Sequence, residues 1–195
     1  MKKFIFILFF ISLTAVADEP EYTARLRVNR SAAMSLSTAW QTVQFTGGST
    51  LNGNWFPSVG GVKMVYYDTG TDLFMFSSPN NKDRHYALQF NVSAVTNLVT
   101  TRANIQYRFI IPNGISPGID LAFPNPDGVG FADLIEATVI ANTVFSKQEQ
   151  QHIYTNSALR ANGLKLQLRL SQSLITLGTC VTSDINMVIF SESFK

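Results

Sequence analysis

The sequence is short of the residues that carry most protein chemistry. It has one cysteine and two histidines in 195 residues. The lone Cys180 has no intrachain disulfide partner, so an exported chain would depend on its core and on subunit contacts for stability. His85 and His152 are the only imidazoles, and they form no H-x-x-x-H metal spacing. Charged residues make up only 14% of the chain, 15 Lys and Arg against 13 Asp and Glu. Two of those lysines, Lys2 and Lys3, belong to an amino-terminal leader; without them the balance is neutral. A neutral chain has no broad field for a phosphate backbone, which removes the main compositional support for nucleic-acid binding. No serine-centred elbow, phosphate loop or dinucleotide fingerprint is present. Cys180, between Thr179 and Val181, reads as a small core residue and not as a nucleophile. The chain is therefore expected to be non-enzymatic and to need no cofactor.

What is abundant is apolar: 46% of residues are hydrophobic and 15 are Phe. So much apolar surface on a lightly charged chain suggests that part of it is hidden by subunit contacts. At the amino terminus, Lys2-Lys3 precede the apolar run 4–13, and Ala15-Val16-Ala17 supplies the small-x-small pattern of a signal-peptidase site. The run is shorter than the roughly 20 residues of a membrane-spanning helix. Cleavage after Ala17 is expected, the alternatives being an uncleaved anchor or a hydrophobic arm tucked into an assembly. The expected organisation is a signal peptide over 1–17, an arm or edge strand over 18–37, and one jelly-roll domain over 38–195.

The clearest periodicity is Gly163 to Leu174. Leu164, Leu166, Leu168 and Leu170 alternate with Lys165, Gln167 and Arg169, which makes one apolar and one polar face on an extended chain. His85–Val95 repeats the pattern with Tyr86, Leu88, Phe90, Val92 and Ala94, and Ile105–Ile111 does so again. These two neighbours are expected to pair as a hairpin, and both to supply the layer facing the leucine strand. Further strands are expected at 23–28, 40–45, 62–67, 73–76, 137–145, 153–155, 174–181 and 187–190. The polar stretch 146–151, and His152 beside it, read as connection. No helix longer than two turns shows a capped periodic pattern. About eight to ten short strands with turn signals between them define an all-β antiparallel sandwich of the jelly-roll type.

From Pro112 to Glu136, Pro, Gly and Asn are too dense for a continuous strand or helix. Asp120, Asn125, Asp127, Asp133 and Glu136 concentrate oxygen ligands there, the chemistry calcium needs, although the EF-hand pattern is absent. The same carboxylates could serve a glycan-cleaving acid/base pair. Trp55 and Phe56, in a Gly/Asn-rich loop, are either a platform for a sugar ring or a protein contact, or a cap folded back onto the sandwich. The candidate ligand-binding residues are thus Trp55, Phe56, Asp120, Asn125, Asp127 and Asp133.

Phe45, Trp55-Phe56, the run Tyr67-Asp-Thr-Gly-Thr-Asp-Leu-Phe74, the strand Ala87–Val92 and the closing Phe190-Ser191 together resemble the C1q/TNF-like trimeric jelly rolls. The resemblance spans most of residues 38–191. The chain also looks like small jelly-roll proteins of phage virions, including decoration, fibre and spike modules. It departs from the compact animal domains in the insertion from Ile111 to Asp133, and no Gly-X-Y stalk precedes it. The leader, unusual for a virion component, points instead to a secreted bacterial protein. The resemblance implies a homotrimer with aromatic and aliphatic side chains near the threefold axis. The expected partners are further copies of itself and other virion or cell-surface proteins, at a virion surface or outside a cell. A secreted glycan-binding or glycan-cleaving module is the alternative.

Overall fold

Alternating apolar and polar side chains become strands wherever one face has something to bury against. In the computed structural model, residues 25–46, 64–77, 83–96, 103–112, 121–123, 132–137, 143–171 and 180–191 are described. The strands are β1 (Arg25–Arg30), β2 (Met34–Leu36), β3 (Gln41–Thr42), β4 (Val65–Asp68), β5 (Leu73–Phe76) and β6 (His85–Thr96). They continue with β7 (Ala103–Ile111), β8 (Leu121–Phe123), β9 (Ala132–Ala137), β10 (Thr143–Tyr154), β11 (Lys165–Leu170) and β12 (Cys180–Ser191). One short helix, α1 (Ser157–Asn162), lies between β10 and β11.

Two sheets form the sandwich. The first runs β1-β12-β6-β10, with β2 also on β12; the second runs β3-β11-β7-β8, with β9 also on β7. All these pairings are antiparallel. The pairs nest: β1 with β12, β3 with β11, β6 with β10, and β7 with β9. A long antiparallel ribbon rolled up on itself produces this order, and that is the jelly roll. The sequence-based assignment of an all-β antiparallel sandwich therefore holds.

The leucine strand is one wall of it. Leu164, Leu166 and Leu168 are fully buried, while Lys165, Gln167 and Arg169 lie on the other face, half-buried. Tyr86, Leu88, Phe90, Val92 and Ala94 form the opposite wall, as expected. Residues 105–111 do not: β7 pairs with β11 in the same sheet. The expected hairpin between β6 and β7 is also absent, because the chain crosses from one sheet to the other between them. Their side chains meet across the core instead. Phe90 packs edge-on against Tyr107 and Phe109, with centroids 4.8 and 5.6 Å apart. Each such contact adds about 0.5–1.5 kcal/mol beyond the area it buries.

Other expectations change for tertiary reasons. Residues 146–151 and His152 lie within β10, not in a connection, and β10 lies at the edge of its sheet. A strand with polar residues on both faces has no stripe to detect. Of the strand expected over 137–145, Ala137 lies in β9 and 143–145 in β10, and 138–142 lie outside the described residues. The turn-rich segment contains β8 and most of β9, both paired with β7. The strand expected over 40–45 is reduced to Gln41–Thr42, although Val43 and Phe45 are buried and Val43 N–H still bonds Leu166 O at 2.9 Å.

The hairpin of β4 and β5 is fastened to the start of β11. Phe74 and Leu164 exchange backbone hydrogen bonds of 2.8 and 2.9 Å. Just before, α1 is capped by the Asn156 side chain, which accepts from Leu159 N–H at 2.9 Å. The helix ends at Gly163, whose φ of 70° lies in the left-handed region. A Cβ there would come within 2.7 Å of Met75 Sδ and 3.0 Å of Phe74 O, so only glycine lets the chain turn directly from helix into strand.

Candidate functional site

The outer face of the first sheet can be read row by row from the strand register. Asn29, Asn186, Asn91 and Gln148 form one row across four adjacent strands. The next row holds Arg27, Val188, Gln89 and Gln150; another holds Asp184, Ser93 and Ser146. Toward one end a row of Val181, Val95 and Val144 adds an apolar strip, with Val144 65% exposed. Gln89 Nε2 donates to Gln150 Oε1 at 2.8 Å, and Ser146 Oγ donates to Asn91 Oδ1 at 3.0 Å. Across these rows the formal charges are Arg27 on edge strand β1 and Asp184, with Arg25 one row beyond Arg27, opposite Phe190. Amides and hydroxyls with this little charge can be desolvated against a second protein at small electrostatic cost, unlike a field of lysines and glutamates.

The outer face of the second sheet is organised differently. Arg108 Nε donates to Gln167 Oε1 at 2.8 Å and Arg169 Nε to Gln106 Oε1 at 2.9 Å, linking β7 and β11. Gln167 Nε2 reaches Thr42 Oγ1 at 3.2 Å. Both guanidiniums lie over the Trp40 ring, their Cζ atoms 4.4 and 4.3 Å from its centroid. Gln106 Nε2 in turn donates to Asp133 Oδ1 at 2.8 Å, and Gln106 is only 7% exposed. The network shields the sheet with mutually bonded polar groups. Its two cation–π contacts add about 0.5–2 kcal/mol each.

Of the sequence-predicted ligand residues, Asp133 is the one the structure describes, and it belongs to this network on β9. Trp55, Phe56, Asp120, Asn125 and Asp127 lie outside the described residues, as does the expected signal peptide. Among the described residues, no three His, Cys, Asp or Glu side chains converge on a metal position. His85 opens β6, where its ring meets Tyr154 at 4.5 Å. His152 Nε2 lies 2.9 Å from Gln150 Nε2 on β10. Cys180 is buried at the start of β12, and burial pushes its thiol up to about 11, away from thiolate chemistry.

A third feature is concave. Beside the β4–β5 turn, a cavity of about 350 Å³ is lined by Gln44, Phe45, Thr46, Thr69 and Asp72. The turn is built by Asp68, which accepts from Gly70 N–H at 2.9 Å and Thr71 Oγ1 at 2.7 Å; these bonds hold its carboxyl below the usual range. Asp72 follows with φ 58°, the one non-glycine residue with positive φ among the described residues. Tyr67 Oη donates to Asp72 Oδ1 at 3.1 Å and accepts from Phe45 N–H at the same distance. Burial first of all, and then the Asp72 charge, raise the Tyr67 pKa well above that of a free phenol, so its hydroxyl stays a donor. The sequence reads 67–74 as strand, turn and strand and as part of a resemblance, with no site there, and it does not single out Trp40, Arg108 and Arg169 as a cluster. The detectable signal was the Gln/Arg alternation on the polar sides of β7 and β11.

No protein-family model and no curated protein matches the chain. Among solved structures it is similar to PRD1 vertex protein P5, with 14% identity, a TM-score of 0.47, and coverage of 88% of this chain and 73% of that one. A weaker similarity, to a structure of infectious bursal disease virus Gt strain, has 9% identity and a TM-score of 0.18, covering 90% of this chain and 63% of that one. The nested strand pairs define the jelly roll independently of either likeness.

Proposed function

We propose that this chain is a non-enzymatic structural and binding protein, a jelly roll that associates with two further copies of itself at an exterior surface. That surface is a phage particle, where it would act as a decoration or fibre-like component, or the outside of a bacterial cell. The observation that carries this reading is the outer face of the first sheet. A broad sheet face made of amides, hydroxyls and valines, whose charges among the described residues are Arg25, Arg27 and Asp184, suits contact with protein better than permanent exposure to water. The C1q/TNF-like resemblance supplies the expected stoichiometry.

Native mass measurement of the purified protein at micromolar concentration tests it. A mass of three chains is expected. Placing charges in the middle of the face, as Asn91→Lys with Gln148→Lys, should lower the mass to one chain while leaving the β-sheet circular dichroism intact. A wild-type protein that is monomeric throughout the micromolar range would refute the assembly.

A further inference from the structure

We infer that the cavity beside the β4–β5 turn is a binding site for an uncharged saccharide. This goes beyond self-assembly and rests on the broader reading of the chain as a binding protein. At about 350 Å³ the cavity lies at the small end of the range for ligand pockets, about 300–1,000 Å³. Its lining names the chemistry. Asp72 is the only charged residue among the five, beside an amide, two hydroxyls and the edge of buried Phe45. Among the described lining residues there is no cation, so an anionic ligand would meet the Asp72 carboxylate directly, and one carboxylate is too few for a calcium ion.

The Asp72 carboxylate has about four acceptor positions, of which Tyr67 Oη and Gln44 Nε2 use two. The remaining two suit a pair of neighbouring sugar hydroxyls donating together, in charge-assisted hydrogen bonds. The Thr46 and Thr69 hydroxyls and the Gln44 amide both donate and accept, as a polyol requires. The carboxylate is also held in advance. Gln44 bonds it at 3.0 Å, and Tyr67 fixes it from the side of the core. Gln44 is itself anchored, its carbonyl accepting from Arg30 Nη1 at 2.7 Å. A left-handed aspartate kept in place by two such partners is the kind of local strain that gathers at ligand sites, and pre-positioning lowers the cost of binding.

The test is titration of the full-length, ¹⁵N-labelled protein with glucose, galactose, mannose and N-acetylglucosamine, followed by amide shifts. Glucuronate and methylammonium serve as charged controls. At least one neutral sugar should move the amides of Gln44, Thr46, Thr69 and Asp72 with millimolar affinity, and glucuronate should bind about tenfold more weakly or not at all. Asp72→Asn, which tolerates the left-handed backbone, should weaken binding about tenfold. Thr69→Trp, at an exposed turn position, should fill the cavity and abolish binding at an unchanged melting temperature. If Thr69→Trp fails to fold, Thr69→Val, lacking the hydroxyl, should still weaken binding. The site is overturned if none of the four sugars moves these amides at saturating millimolar concentration, if the shifts fall elsewhere, or if methylammonium alone binds. Sugar binding by a monomer would refute the trimer and keep the cavity site; a trimer indifferent to sugar would do the reverse.

Discussion

Phe90 of β6 and Tyr107 of β7 meet edge to face across the sandwich, their ring centroids 4.8 Å apart. The contact ties together two strands that follow one another in the chain but belong to different sheets. Phe90 is fully buried and also touches Phe109. Phe90→Ala should therefore cost about 3–5 kcal/mol, read from urea denaturation, because both the transfer energy and the cavity count against it. A loss under about 1 kcal/mol would show that the two sheets do not meet here.

The hydroxyls of Tyr107 and Tyr86 should respond to removal in opposite ways. Tyr107 Oη accepts from Gln151 Nε2 at 2.8 Å, linking the second sheet to edge strand β10 of the first. Tyr86 Oη is buried with no hydrogen-bond partner among the described residues. Tyr107→Phe should cost about 1 kcal/mol, whereas Tyr86→Phe should be neutral or stabilising by a similar amount. Equal losses in both variants would contradict the assignment.

Alkaline pH should destabilise the fold through groups whose neutral forms are favoured by burial. The native pKa of Tyr86 is pushed up to about 12 and that of Cys180 to about 11, in each case chiefly by desolvation. Above the unfolded-state values the unfolded chain releases these protons and the native chain holds them, so stability falls as pH rises. The contribution is fully present below pH about 9, and it is lost through about 11 for Cys180 and about 12 for Tyr86. Melting temperatures measured under reducing conditions from neutral pH upward should fall beyond pH 9, and fall less in Tyr86→Phe. A flat profile in that range would disagree.

The centre of the leucine strand should tolerate size changes badly and charge not at all. Leu168 is fully buried in β11. Leu168→Ala should cost about 2–5 kcal/mol. Leu168→Asp, which buries an unpaired charge, should prevent folding. Circular dichroism with thermal melting distinguishes the two, and an unchanged melt for Leu168→Asp would place the residue on the wrong face.

Edge strand β10 carries Lys147 and Glu149 on the face it shares with buried Phe90 and Val92 across the register, and the two form a 3.5 Å ion pair. Charges on the inward face of an edge strand discourage pairing with another chain. Lys147→Val with Glu149→Val should raise the propensity for edge-to-edge aggregation, visible as increased light scattering at 37 °C. A double variant as soluble as wild type would assign the ion pair no protective role.

The strands that periodicity revealed are those with one buried and one open face. β6, β7 and β11 alternate because Phe90, Phe109 and Leu168 each need a core while their neighbours do not. β10 escaped because Lys147, Glu149 and Gln151 make its inward face polar, next to Gln148 and Gln150 on the outward one. The sites were far less legible. Gln106 and Asp133 are separated by 27 residues, Arg169 and Gln106 by 63, and Gln44 and Asp72 by 28. Nothing local marks such pairs.

The sequence by itself determined the all-β class and the inward face of the clearest strands, because period-two alternation is a local property of an extended chain. Tertiary structure alone decided that β7 lies beside β11 instead of beside β6. It also placed Trp40 under two arginines and set Asp72 in the lining of a cavity. Alternation says which face is buried but not which strand covers it. That choice depends on how a rolled ribbon closes its loops and on which side chains, such as Phe90 and Tyr107, then fit across the core.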